Sequence, residues 1–181
     1  PSPEITKEAP PLVGEPKLLL PERVSIDPDR KALRKPLDMI SKARKPIILA
    51  GLGVYWDKAS AELVALAEKL GAPILTTSKC KGAIPEDHEL SAGCIIGGTI
   101  ERELVNQSDL IITIGLDIVE LQPKPWPYTI PVLSLANVPS LDCLIPFDME
   151  MVGDIKLIVH GLTDFCEAGQ GWGLKAASDF R

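Results

Sequence analysis

Apolar residues along this chain come in two patterns. Short apolar runs at 47–50, unbroken, and at 110–114 and 131–135, each holding one hydroxyl residue, have the length and composition of strands buried on both faces. Between them apolar residues recur at helical spacing. Leu33, Leu37 and Ile40 form one such stripe, Leu63, Leu66, Ala67 and Leu70 a second, and Ile100, Leu104 and Val105 a third. Ile155, Ile158, Val159, Leu162 and Phe165 form a fourth. The best-defined unit runs from Lys45 to Thr77. A strand stops at Gly51-Leu52-Gly53, a helix follows with Asp57 placed to cap it, and Gly71 sits where a helix end favours a left-handed residue. The next strand begins at Ile74-Leu75. Asp29 is placed to cap a first helix ending near Ala43, and Asp154 to cap the last. A helix starting near Thr99 gives way at Ser108-Asp109. The stretch from Thr76 to Gly98 reads as an irregular loop, and Leu144-Ile145 as a short edge strand before Pro146.

A strand–helix–strand unit this short requires parallel pairing with a right-handed crossover. The alternation predicts a doubly wound, mostly parallel, Rossmann-like α/β sheet of about five or six strands flanked by helices. Residues 1–28 carry seven prolines and little periodicity, so they read as a linker. The domain is expected over 29–167, and the glycine-bearing segment 168–181 as an exit linker. The chain opens at Pro1 and reads as a piece of something longer.

A net charge of −6 disfavours nucleic acid as a partner, because phosphate neutralisation needs clustered Lys and Arg. The basic residues at 30–45 interleave with Leu33, Leu37 and Ile40, as on a solvated helix face. The four cysteines, Cys80, Cys94, Cys143 and Cys166, form no CxxC pair and fit reduced thiols in the cytoplasm. No run approaches the roughly 20 apolar residues that span a bilayer.

Candidate chemistry gathers at the predicted strand ends, where open sheets of this kind bind ligands. Gly51 and Gly53 invite a dinucleotide reading, yet Trp56 stands where a GxGxxG pattern needs its third glycine. No acidic residue closes the second strand either. The competing reading is a tight strand-to-helix turn. Ser78-Lys79-Cys80-Lys81-Gly82 offers a hydroxyl, amines and a flexible glycine that could hold a phosphate, or a plain surface loop. Cys80, between Lys79 and Lys81, could be a thiol of lowered pKa but lacks a positioned base. His88 lies among carboxylates in a loop and His160 near a helical stripe, so neither implies a metal site or a triad. Gly115 closes the second strong strand, and Asp117 after it could cap the next turn or meet a ribose. The 122–128 loop, with Trp126 and Tyr128, reads either as a partner contact or as a rigid cover over the sheet edge.

Four segments together resemble one family: RKPIILAGLGV at 44–54, TTSKCKGAIPEDHELSAG at 76–93, SDLIITIGLDIVE at 108–120 and MVGDIKLIVHGL at 151–162. Their order and spacing are similar to the central domain of thiamine-diphosphate-dependent enzymes, the group containing acetolactate synthase, pyruvate oxidase and the 2-oxo acid decarboxylases. The resemblance implies a domain without chemistry of its own. In that family thiamine diphosphate and magnesium sit between two other domains on neighbouring subunits. One supplies an activating glutamate, the other a GDG…N metal motif. Here Gly153-Asp154 is followed by Ile155. The chain is therefore expected to be inactive alone, with no catalytic and no metal-ligating residue. Its implied partners are the parent's N- and C-terminal domains and neighbouring subunits, without nucleic acid or membrane.

The resemblance also implies that this domain holds FAD in some members, an adenine nucleotide in others and nothing in many. FAD-binding relatives commonly carry an arginine soon after the glycine of the second strong strand, where this chain has Leu116 and Asp117. They commonly carry an acidic residue after the next strand, where this chain has Ala136-Asn137, and glycine-lysine-glycine where it has Cys80-Lys81-Gly82. The expectation is a structural and oligomer-contact domain with a vestigial, empty or ADP-like pocket. Gly51, Gly53, Thr77, Ser78, Lys81 and Gly115 are its cofactor-binding residues if a nucleotide enters. The alternative is a free-standing FAD- or NAD-binding module of the electron-transfer flavoprotein type.

Overall fold

The structure is a computed structural model that describes residues 28–96, 100–121, 125–140 and 145–180. Residues 1–27 of the linker expected at 1–28, Cys143, Leu144, Thr99 and residues 122–124 lie outside the described residues. Six strands form one sheet in the order β3-β2-β1-β4-β5-β6, and every pairing is parallel. The strands are β1 (Pro46–Ala50), β2 (Ile74–Thr77), β3 (Ser91–Ile95), β4 (Leu110–Ile114), β5 (Val132–Ala136) and β6 (Met149–Val152). The order runs outward from β1 through β2 to β3, then reverses from β4 through β5 to β6. The reversal falls between β1 and β4, the place where open sheets of this kind carry a ligand crevice beyond the strand ends.

Parallel strands covered on both faces bury every side chain, and β1, β2, β4 and β5 do so along their whole length. Their alternation splits the core in two. Ile48, Ala50, Ile74, Leu110, Ile112, Ile114, Leu133 and Leu135 face α1 (Arg34–Lys42), α3 (Ser60–Leu70) and α5 (Ile155–Phe165). Ile47, Leu49, Leu75, Ile111 and Val132 face α4 (Ile100–Val105) and α6 (Trp172–Phe180). The doubly wound fold is thus present, with helices on both sides of the sheet.

Several expectations need correction. The loop expected from Thr76 to Gly98 contains β3, which joins β2 across a register shift between Ile74 and Thr76. An edge strand lies at β6, after Pro146; Ile145 is buried and outside any strand, and Leu144 lies outside the described residues. Asp57 does not cap the helix carrying Leu63. A one-turn helix, α2 (Gly53–Trp56), comes first, Lys58 takes a left-handed φ of 53°, and α3 starts at Ser60 without a side-chain cap. Asp57 instead accepts from the Ile155 N–H of α5 at 3.0 Å. The segment expected to lead out of the domain from Ala168 forms α6, which seals the second face. Its Ala177 is fully buried, and Trp172 Nε1 donates to the Pro46 carbonyl at 2.8 Å.

Other local readings match. Gly71 ends α3 at φ 58° with its N–H on the Glu68 carbonyl, and Asp154 accepts from Leu157 N–H at 3.1 Å to cap α5. Asp29 departs from its expected role: its Oδ1 accepts from Ala32 N–H at 2.8 Å in the turn before α1, whose N-cap residue, Leu33, has no side-chain cap. Among the described residues no helix is long and apolar enough to cross a membrane.

Candidate functional site

The crevice between β1 and β4 is built from two turns pressed together. Gly51 N–H donates to the Ile114 carbonyl at 2.9 Å, and Gly53 N–H donates to the Gly115 carbonyl at 2.9 Å. Gly115 is at φ 60°, a conformation that L-residues avoid. A Cβ on Gly51 would stand 2.5 Å from the Gly115 carbonyl oxygen, and one on Gly53 would stand 2.7 Å from Gly115 Cα. The three glycines proposed from the sequence as a cofactor cradle thus make contact with one another. Their lack of side chains is what lets the β1 and β4 turns interlock.

A residue that sequence reasoning passed over occupies the space above them. Glu120 ends a single 3₁₀ turn, Ile118–Glu120, after β4. Its Oε1 accepts from Leu52 N–H at 3.0 Å and from Asp117 N–H at 3.0 Å, and Oε2 accepts from Leu52 N–H at 3.1 Å. The Thr77 hydroxyl donates to Oε2 at 2.5 Å and itself accepts from Cys80 N–H at 3.2 Å. One half-buried carboxylate therefore ties together the loops after β1, β2 and β4. Glu120 closes the SDLIITIGLDIVE segment, but its partners lie 43 and 68 residues away. No local pattern points to them.

Of the six residues proposed as nucleotide contacts, Gly51, Gly53, Thr77 and Gly115 meet around Glu120. Ser78 and Lys81 are exposed on the neighbouring loop. Ser78 Oγ lies 3.6 Å from Cys94 Sγ, and Lys81 pairs with Glu86 at 3.0 Å. Tyr55 of α2 donates to the Lys81 carbonyl at 2.7 Å, which fixes that loop beside the crevice.

Cys80 is not an activated thiol. It is fully buried, and burial together with the nearby Glu120 charge pushes its pKa from 9.0 up to about 12. His88 hydrogen-bonds Glu68 of α3 at 3.2 Å and accepts from Leu90 N–H, so it pins its loop. His160 pairs with Asp164 one turn on along α5 at 3.5 Å. Trp126 and Tyr128 meet edge to face at 4.9 Å and pack with the second core face, the covering role rather than a free contact. Asp154 is committed to capping α5, and the sequence around it offers no metal motif, so these residues do not fit the diphosphate–magnesium group.

Six exposed apolar side chains also lie beyond the strand carboxyl ends, interspersed with polar loop residues such as Ser78 and Lys81. Tyr55 and Trp56 follow β1, Ile96 follows β3, Val119 follows β4, Val138 follows β5 and Val152 ends β6. All six are exposed, Trp56 by 56% and Val119 by 71%. They are six of the eight large apolar residues exposed among those described, and all stand at strand carboxyl ends. The other two, Phe165 and Leu174, lie on α5 and α6.

A six-stranded parallel sheet whose strand order reverses beside interlocked turns defines a doubly wound, Rossmann-like α/β domain. The family description "Thiamine pyrophosphate enzyme, central domain" matches residues 33–162, and the chain belongs to that family. It is 29% identical over 155 residues to the sulfoacetaldehyde acetyltransferase of Rhodobacter capsulatus, covering 79% of this chain and 26% of that protein. It is 30% identical over 138 residues to the acetolactate synthase large subunit of Buchnera aphidicola subsp. Schizaphis graminum, covering 73% of this chain and 24% of that protein. The benzoylformate decarboxylase structure from Polynucleobacter necessarius shares the fold with a TM-score of 0.68 at 22% identity, over 80% of this chain and 28% of that one. The chain spans about a quarter of the length of these curated relatives. This places it with the central domains rather than with free-standing flavin or nicotinamide modules.

Proposed function

We propose that this chain serves as the structural and contact-making central domain of a cytoplasmic thiamine-diphosphate-dependent enzyme of the 2-oxo acid decarboxylating or acyl-transferring class. The observation that carries the reading is the ring of exposed apolar side chains at the strand carboxyl ends. Exposed apolar surface on this scale marks an interaction site. The partners it would meet are the other domains of the parent and neighbouring subunits. The transferase and synthase relatives support the reaction class. Thiamine diphosphate and magnesium would act in the parent, held by residues outside this family segment, and the domain proposed begins at 29 and extends past the expected boundary at 167 to take in α6. The nucleotide pocket at Gly51, Gly53, Thr77, Ser78, Lys81 and Gly115 is vestigial in this reading.

The test is an absorbance spectrum of the purified chain followed by calorimetric titration with FAD and with ADP. No flavin band near 450 nm and no binding heat are expected. Tight FAD binding would overturn the structural assignment, and ADP binding alone would turn the pocket into a regulatory one.

A further inference from the structure

Glu120 meets its partners in the way an anionic ligand would. The donors come from three separate loops, at Leu52 after β1, Thr77 at the end of β2 and Asp117 after β4, and none of them is a cation. Two backbone N–H groups and a hydroxyl converging on one pair of oxygens form an anion cradle of the kind that holds phosphate or carboxylate. The carboxylate also lies against the glycine turn. A Cβ on Gly51 would stand 2.7 Å from Oε1, so the carboxylate fills the space through which a ligand would approach that turn. The negative charge makes itself felt on the floor of the crevice, where it helps hold the Cys80 thiol protonated.

We propose that the switch-point crevice is an anion site whose resident ligand is the Glu120 carboxylate, so that Glu120 is the residue that bars nucleotide phosphates from this domain. The proposal deepens the closed-pocket reading above and rests on it. A phosphate entering the crevice would have to displace a carboxylate bound at three points and would meet its charge at close range. Removing the carboxylate while keeping the cradle leaves Leu52 N–H and Asp117 N–H without their acceptor, a cost that a small free anion would relieve. The ligand class is therefore a small oxyanion, carboxylate or phosphate, and the discriminating element is a side chain rather than a gap in the donors.

The experiment compares the wild-type chain with Glu120→Ala by thermal melting, titrating formate, inorganic phosphate and chloride at constant ionic strength. Wild type is expected to show no saturable response to any of them. Glu120→Ala is expected to melt roughly 5–10 °C lower, the shift a few lost charge-assisted hydrogen bonds produce in a domain of this size. It should recover saturably in formate or phosphate but not in chloride, and adding Thr77→Val should weaken that recovery. A Glu120→Ala protein that is folded by circular dichroism yet blind to formate and phosphate would overturn the proposal. Should that variant not fold, Glu120→Gln keeps the shape and removes the charge. The Leu52 and Asp117 amide proton resonances are then expected to move upfield from their wild-type positions, and unchanged resonances would count against the anion cradle. FAD or ADP binding to wild type would sink the closed-pocket reading itself. Failed rescue with no nucleotide binding would sink only the role given to Glu120.

Discussion

Gly115 and Gly93 both adopt positive φ, at 60° and 94°, but only one of them is crowded. A Cβ on Gly115 would stand 2.7 Å from Val54 N and 2.8 Å from Gly53 Cα, whereas one on Gly93 would meet nothing within 4 Å. Gly93→Ala should therefore lose only the conformational term, about 1–2 kcal/mol in urea unfolding. Gly115→Ala adds a backbone clash and should lose clearly more, on the order of 3 kcal/mol or greater. Equal losses would mean that the interlocked turns yield to a methyl group. The buried Cys80 thiol offers a second test. Its folded pKa of about 12 lies above the ordinary 9.0, so folding favours the protonated form. That stability is complete below pH 9 and is lost as pH rises toward 12. Wild type should hold its urea midpoint up to pH 9 and fall beyond it, and Cys80→Ser should flatten part of that fall. Iodoacetamide at pH 8 should modify half-exposed Cys94 well before Cys80. The glycines were legible in the sequence because their conformational freedom is a property of the residue. Glu120 and the protonated state of Cys80 were not, because each is set by groups brought together only when β1, β2 and β4 align.

At the scale of elements, legibility followed burial. Strands covered on both faces, such as β1 and β4, spell short, almost wholly apolar runs closed by glycine turns. The two edge strands are only half covered. Ser91–Ile95 exposes Gly93 and Met149–Val152 is nowhere fully buried, so their sequences blend with loops. The N-terminus of α5 shows the same limit for caps. Asp154 is local and readable, while Asp57 reaches Ile155 N–H from 98 residues away. Each carboxylate satisfies a different amide of one helix end, so Asp154→Ala and Asp57→Ala should each cost about 1 kcal/mol, as N-cap losses do. Because they share that end, the double variant should depart from the sum in a double-mutant cycle; strict additivity would mean that the two caps act independently. The segment after Ala168 misled because glycines at 169, 171 and 173 read as a linker. In the structure Gly169 and Gly173 allow close approach: a Cβ there would fall 1.9 Å from the Leu70 carbonyl oxygen and 2.5 Å from that of Gly71. Ending the chain after Glu167 should uncover Ile47, Leu49 and their neighbours, lower the melting temperature and raise binding of an apolar dye. An unchanged melting curve would show that α6 is dispensable and that the boundary at 167 stands.

For the molecule as a whole, stability and association reside in different residues. The two core layers hold the sheet, and the exposed apolar side chains beyond the strand carboxyl ends are members of neither buried cluster. Scattered exposed apolar residues would need no explanation, but here six stand on one edge of one sheet. Replacing Trp56, Val119 and Val138 together by serine should therefore leave the thermal midpoint within about 2 °C, since exposed positions seldom change stability by more than about 0.5 kcal/mol. The same triple variant should sediment as a smaller species than wild type at equal concentration and bind less of an apolar dye. A loss of melting temperature would place these side chains in the core's service after all. Unchanged sedimentation and dye binding would remove the ring as the contact surface and leave the contact role to the helical faces. The intended outcome, stability kept and association lost, is what separates a domain that supports an assembly from one that merely fills space within it.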